Sequence, residues 1–134
     1  MQGTYLITGG EGFIGRSTKQ YLQKNNCNAL TLYIDSKPDY MMSVTDFHSL
    51  AGIEEKLDGI FHLAATISPP QFEDDPLGGF QVNANGTLNV LEFAKRKKIR
   101  RVVLDVHLHP QHTAILKVYP GRRSFLRSIQ ASTP

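Results

Sequence analysis

Thr8-Gly9-Gly10-Glu11-Gly12-Phe13-Ile14-Gly15 decides how the rest of the chain is read. Its glycines fit G-x-G-x-x-G from Gly10 and G-x-x-G-x-x-G from Gly9. Glycine is common, so the pattern gains meaning only from its neighbours. The β-prone run Tyr5-Leu6-Ile7-Thr8 precedes it, and Ile14, Thr18, Tyr21 and Leu22 follow at helical spacing. Strand, glycine turn and helix, in that order, are what a pyrophosphate-binding turn requires. Gly9, Gly10 and Gly12 permit a sharp turn and close backbone approach, and Gly15 lets the helix lie tightly on the sheet. Phe13 and Ile14 supply amides at the helix start, where free N–H groups and the helix dipole attract an anion.

Downstream, the nearly continuous apolar run Ala29 to Ile34 reads as a strand buried on both faces, and it ends at Asp35, twenty residues beyond Gly15. A carboxylate there suits ribose hydroxyls and repels a 2′-phosphate, which favours NAD over NADP, although the cationic Lys37 lies close. The plainer alternative is a glycine turn that merely joins strand to helix, with Asp35 as a solvated strand end. Tyr40 to Val44 reads as a short third strand and Ile60 to Ala64 as a later one. A loop rich in proline and acid runs through Pro69-Pro70 and Glu73-Asp74-Asp75-Pro76. Phe80, Ala84, Leu88, Leu91 and Ala94 then form one stripe of a long amphipathic helix with a basic end, before the strand Val102-Val103-Leu104. Strands alternating with helices imply an α/β fold with a parallel sheet and right-handed crossovers.

Four stretches resemble the extended short-chain dehydrogenase/reductase family, the NAD-dependent sugar-nucleotide epimerases and dehydratases. They are the glycine turn, Val44-Thr45-Asp46, Phe61-His62-Leu63-Ala64-Ala65, and Val82-Asn83-Ala84-Asn85-Gly86-Thr87-Leu88-Asn89-Val90-Leu91, in the family's order and spacing over residues 3–104. The resemblance implies a Rossmann-type doubly wound sheet in three layers, truncated after about strand five. It implies NAD as cofactor and a nucleotide sugar as substrate, with transient hydride transfer. Asp35 would then read ribose, Asp46 and Phe47 would flank adenine, and Leu63, Ala64, Ala65 and Asn83 would line the nicotinamide side. The family also implies a homodimer through helices including the long one. Which sugar, and epimerase, dehydratase or reductase, stay open.

Each of these residues has a plainer reading. Asp46 can cap a helix starting near Phe47, and Asn83 can make helix-to-loop hydrogen bonds. His62, mid-strand among apolar neighbours, reads as a packed core histidine rather than an acid or base. Ala64 and Ala65 suit tight packing as well as a nearby ligand.

The resemblance fails after Leu104. A Ser/Thr-rich turn and then Tyr-x-x-x-Lys, the family's catalytic set, are due there, with Tyr and Lys sharing one helical face. The chain reads Asp105-Val106-His107-Leu108-His109-Pro110 instead, and Tyr119 is followed four residues on by Arg123 across Pro120 and Gly121. No catalytic residue is therefore assigned. The alternating His107 and His109, with His112 near, permit a metal reading. Only 22 residues follow His112 and none is a carboxylate, so no metal centre is expected.

Charge marks the same place. Residues 1–94 carry five Lys/Arg against eleven Asp/Glu, a net of −6, whereas residues 95–134 carry ten against Asp105 alone, a net of +9. We divide the chain into an NAD-binding part, 1–104, and an atypical basic tail, 105–134, which is expected to derive from a shifted reading frame. Translating the gene in the other two frames after codon 104 tests that expectation. The tail offers only Tyr119 and Phe125 as aromatic platforms, which argues against nucleic acid. The 134 residues show no apolar run of membrane-spanning length and a single cysteine, Cys27, and no leader peptide is expected. A cytoplasmic, reduced setting is expected. The competing function is a non-catalytic dinucleotide-binding or interaction module using the basic tail.

Overall fold

The first strand, β1 (Thr4–Thr8), is apolar on both faces and becomes the sheet's interior. Leu6 and Ile7 on opposite faces are both fully buried. The computed structural model describes residues 2–109 and 112–118, with the backbone course alone for those beyond residue 104. A glycine turn leads from β1 into helix α1 (Phe13–Lys24), then β2 (Asn28–Tyr33), β3 (Tyr40–Met41), α2 (Phe47–Ala51) and β4 (Gly59–His62). Helices α3 (Pro69–Asp74) and α4 (Pro76–Phe80), a π turn (Gln81–Asn85) and α5 (Gly86–Arg96) follow, and then β5 (Val102–His109) and β6 (His112–Val118).

The strand order is β3-β2-β1-β4-β5-β6. The first five strands are parallel, with Leu6 opposite Leu30 and Ile60, and Ile60 opposite Val102. This is the Rossmann-type doubly wound sheet, and its chain order reverses between β1 and β4, where such sheets open a crevice at the strands' carboxyl ends. β6 departs from the parallel pattern by running antiparallel to β5. The division set at residue 104 falls inside the backbone course of β5. Tyr119 and the residues from Pro120 on lie outside the described residues.

The two faces of the sheet are unequally covered. One packs Leu6, Leu32, Ile60, Val102 and Leu104 against Leu50 of α2 and Val90, Phe93 and Ala94 of α5. The other packs Leu22 of α1 with Tyr5, Ile7, Cys27 and Ala29, and Phe61 and Leu63 are partly buried beside them.

Several local expectations need correction. The strand expected to run through Ile34 stops at Tyr33, and Ile34 is 71% exposed. The third strand has two residues, because the Ser43 and Thr45 hydroxyls bond each other at 2.7 Å and the Asp46 N–H turns back to the Ser43 carbonyl. Such side-chain bonds compete with a strand ladder. The expected proline-rich loop contains two short helices. Their prolines sit in first turns, where no N–H is needed, and Asp75 caps the second by accepting from the Gly78 N–H at 2.9 Å.

The long helix is interrupted by the π turn, and its buried stripe is Gly86, Val90, Phe93 and Ala94. Phe80 and Leu88 of the expected stripe face outward. Apolar residues occupy more than one side of this segment, so spacing alone does not set its phase. In α1 the buried residues are Gly15 and Leu22, while Ile14 and Tyr21 are exposed.

Candidate functional site

The glycine turn caps the carboxyl end of β1. Gly9 has φ +70°, and a Cβ there would come within 2.8 Å of the Leu63 carbonyl and the Ala64 nitrogen. A side chain at Gly15 would strike the Gly9 carbonyl. The turn therefore lies flat against the end of β4, and α1 starts directly above it. Gly9 and Gly10 both donate to the Leu32 carbonyl, at 2.9 and 3.2 Å, which ties the turn to β2 as well.

Helix α1 begins at Phe13 with Gly12 as a cap that has no side chain and no acid in the first turn. The N–H groups of Phe13, Ile14 and Gly15 are thus the helix's first amides, which lack intrahelical partners by construction. The one carboxylate in the turn, Glu11, bends back beneath it. It accepts from the Thr31 hydroxyl at 3.1 Å and sits 3.8 Å from Arg16 and 3.9 Å from Lys19. Two cations beside this acid keep the turn suited to an anion.

Asp35 stands just beyond β2, exposed, with one carboxylate oxygen taking the Ser36 N–H at 2.6 Å. Asp46 caps α2, as its plainer reading had it, through the Ser49 N–H at 3.1 Å and the Ser49 hydroxyl at 2.5 Å. The Ser49 hydroxyl, followed by the Ser49 N–H, holds the Asp46 carboxyl below the usual carboxylate range. Phe47 packs partly against the core, and its ring is covered by the Arg96 guanidinium at 4.7 Å.

Across β1, a cleft of about 640 Å³ is lined by Ile14, His62, Leu63, Ala64, Ala65 and Asn83, among others. Asn83 lies in the π turn, and both ends of its amide are engaged. Its oxygen accepts the Thr66 N–H at 2.7 Å and its nitrogen donates to the Thr66 carbonyl at 2.8 Å. It therefore borders the cleft by holding the loop after β4 in place. From α5, Asn89 does the same on the other side of β1, donating to the carbonyls of Val44 and Thr45 at 3.0 and 3.1 Å. His62 is 4% exposed beneath the cleft, hydrogen-bonded to Thr8 and Thr87, and burial pushes its imidazole down to about 4.

The structure thus gathers Gly9 to Gly15, Asp35, Leu63 to Ala65 and Asn83 along one edge of the sheet, with Asp46 and Phe47 on the β3 side. Thr8, Thr66, Thr87 and Asn89 were not singled out from the sequence. The available signal was uncharged polar residues, Asn83, Asn85, Thr87 and Asn89, recurring every second position along a helical run. No group of three or more metal-binding side chains occurs among the described residues, and the side chains of Asp105, His107, His109 and His112 lie outside them. No helix among the described residues is long and apolar enough to cross a membrane.

The edge is a cradle kept open by its glycines. A Cβ at Gly9 or Gly15 would close it, the amides of α1 point outward from it, and an acid and a cleft flank it on either side.

Comparison with known proteins gives the same picture. The model of the NAD dependent epimerase/dehydratase family matches residues 5–104. The UDP-glucose 4-epimerase of Lacticaseibacillus casei is 30% identical over 114 residues, covering 76% of this chain and 34% of that protein. The UDP-glucuronic acid decarboxylase 3 of Arabidopsis thaliana is 32% identical over 126 residues, covering 79% of this chain and 36% of that protein. A solved epimerase of Methanothermobacter thermautotrophicus superposes with a TM-score of 0.69 at 28% identity, over 77% of this chain and 34% of that one. The chain thus spans about a third of the length of the curated relatives it matches.

Proposed function

Since the chain belongs to the NAD-dependent epimerase/dehydratase family, we propose that it binds NAD along the carboxyl edge of β1, β2 and β4. In this reading it is the cofactor-holding part of an enzyme acting on a nucleotide sugar. The observation that carries the proposal is the seating of Gly9 against Leu63 and Ala64. That contact joins the anion-binding start of α1 to the cleft beyond β4, so one extended ligand can span both.

Bound there, NAD supplies a reversible hydride acceptor. The chain's own residues bind, orient and exclude water. The Phe13, Ile14 and Gly15 amides hold the pyrophosphate, and Asp35 accepts from the adenosine ribose. Asp46 and Phe47 border the adenine, while Leu63 to Ala65 and the loop held by Asn83 wall the nicotinamide side. No residue of this chain is assigned to proton transfer, because the family's Ser, Tyr and Lys have no counterpart in it. The catalytic set, the sugar-binding residues and a homodimer belong to the proposal for the whole protein, as does a cytoplasmic setting. Residues 1–104 then carry the site, and 105–134 are an atypical tail.

Calorimetric titration with NAD tests the reading. Binding is expected for the unaltered chain, weakened by Asp35→Ala and lost in Gly12→Val. Unchanged affinity in both variants would falsify the site assignment. Incubation with NAD and UDP-glucose or UDP-galactose is expected to give no epimer. Turnover by this chain would overturn the claim that its catalytic set is missing. A non-catalytic module predicts the same silence toward sugars, and joining the chain to the remainder of a relative separates the two readings by whether turnover appears.

A further inference from the structure

The polar chain linking β1, β4 and α5 admits a single consistent set of proton positions. Thr8 Oγ1 accepts the Ala64 N–H at 3.2 Å, shares the Leu63 N–H at 3.2 Å with the Thr8 carbonyl at 3.0 Å, and lies 2.6 Å from His62 Nδ1. A hydroxyl has two acceptor lone pairs and one proton, so Thr8 must donate to Nδ1. On the far side of the ring, Thr87 Oγ1 donates to the Asn83 carbonyl at 2.7 Å and lies 3.0 Å from His62 Nε2. Its proton is committed, so it accepts from Nε2–H. Both halves give the same tautomer independently.

The arrangement follows from register and from the π turn. Thr8 and His62 are partners across the β1–β4 pair, so their side chains share a face. Thr87 stands one helical turn beyond Asn83, whose carbonyl lies in the stretch where backbone bonding slips, as the Gly86 N–H bonding to the Gln81 carbonyl shows. The Thr87 hydroxyl satisfies that carbonyl and, in the same step, points its oxygen at His62.

We propose that His62, as the neutral Nε2–H tautomer, is a positioning residue whose two-sided bonding fixes the Leu63–Ala65 wall and Asn83 relative to each other across the cleft. What that wall serves rests on the cofactor reading above. One end of the chain holds the two amides that turn the backbone away from β4, and the other holds the residue that pins Thr66. The ring is the joint between them. The groups facing it, Thr8 from β1 and Thr87 from α5, carry no charge, nor does its strand partner Leu104 on β5. A proton on Nδ1 would meet the Thr8 hydroxyl proton head-on, so burial and wiring oppose the cation together.

Nitrogen-15 correlation spectra of the full chain, with and without NAD, are the test. The expected result is an Nε2–H neutral ring for His62 at pH 6, where an ordinary histidine is largely cationic. Thr87→Val keeps the side chain's shape and removes the hydroxyl. It is expected to give a tautomer mixture at His62, faster hydrogen exchange at Ala64, and NAD affinity about fivefold to tenfold weaker. Thr87→Ser restores the hydroxyl and is expected to return all three. An Nδ1–H or cationic ring at pH 6 overturns the proposal, as does a Thr87→Val chain matching the unaltered one in tautomer and exchange. If the unaltered chain shows the expected tautomer and exchange but binds no NAD, the joint is supported and the cofactor reading fails instead.

Discussion

The two ends of the crevice are built from different material. At the β1–α1 end the site is backbone: glycines that leave room, and amides presented by a helix start with no side chain over it. At the β4 end the site is shaped by side chains that never need to touch a ligand, with His62, Thr8, Thr87 and Asn83 bonding to one another and to loop backbone. A backbone site tolerates no added volume but is indifferent to pH. A wired site tolerates small changes of volume but depends on proton positions. The same crevice is therefore expected to fail in two distinguishable ways.

The largest effect is expected from volume at the backbone end. Gly15→Val forces α1 off the Gly9 carbonyl, and NAD affinity should fall more than about a hundredfold, since both the turn and the amides shift. Titration calorimetry reads this directly, and retention of affinity within a few-fold would remove the distinction between the ends.

Acid should act on the other end. The His62 value is depressed in the folded chain by burial, from 6.5 to about 4, so the unfolded chain binds the extra proton first. The resulting stability is fully present above about pH 6.5 and is lost as pH falls toward 4, amounting to about 3 kcal/mol. Urea unfolding at pH 7 and pH 4.5 measures it, and His62→Asn should flatten that pH dependence. An equal slope in both chains would locate the acid sensitivity elsewhere.

Asn83→Ala removes both bonds to Thr66 and leaves a backbone pair without partners, at a cost of about 2 kcal/mol. The expected signature is fast exchange of the Thr66 amide with little change at Gly9 or Gly10. Asp46→Ala, at neither end, should lower stability slightly through loss of the α2 cap. Thermal unfolding measures that loss. A larger drop in NAD affinity than in stability would show that Asp46 also serves the adenine.

How legible each end was in the sequence follows from the same difference. The glycine turn is local: eight consecutive residues contain its strand end, turn and helix start, so spacing alone exposes it. That the sheet is parallel was legible for a similar reason, because the apolar runs at Ala29 and Ile60 alternate with helix-forming segments. The wired end joins residues 54 and 25 positions apart, and nothing in the spacing of Thr8, His62 and Thr87 announces that they meet. His62 was legible as a packed histidine, yet its partners were not. Short-range competition hid other features. The Ser43–Thr45 turn cut the third strand short, and prolines placed in first turns made helices where they suggested a loop. The phase of α5 was obscured because Leu88 and Val90 are both apolar and only Val90 is inward.

Asn83 and Asn89 reach their loops from one helical rod, on opposite sides of β1. The interval between the two anchored loops is thus metered by a ruler of six residues, about 9 Å at the usual helical rise, rather than by the loops themselves. The π turn is part of that ruler's graduation. Deleting Ala84 or Asn85 would rotate Asn83 by about 100° while leaving Asn89 where it is. Loop lengths on either side can drift without altering the span, whereas a single-residue change in the rod misaligns one anchor against the other.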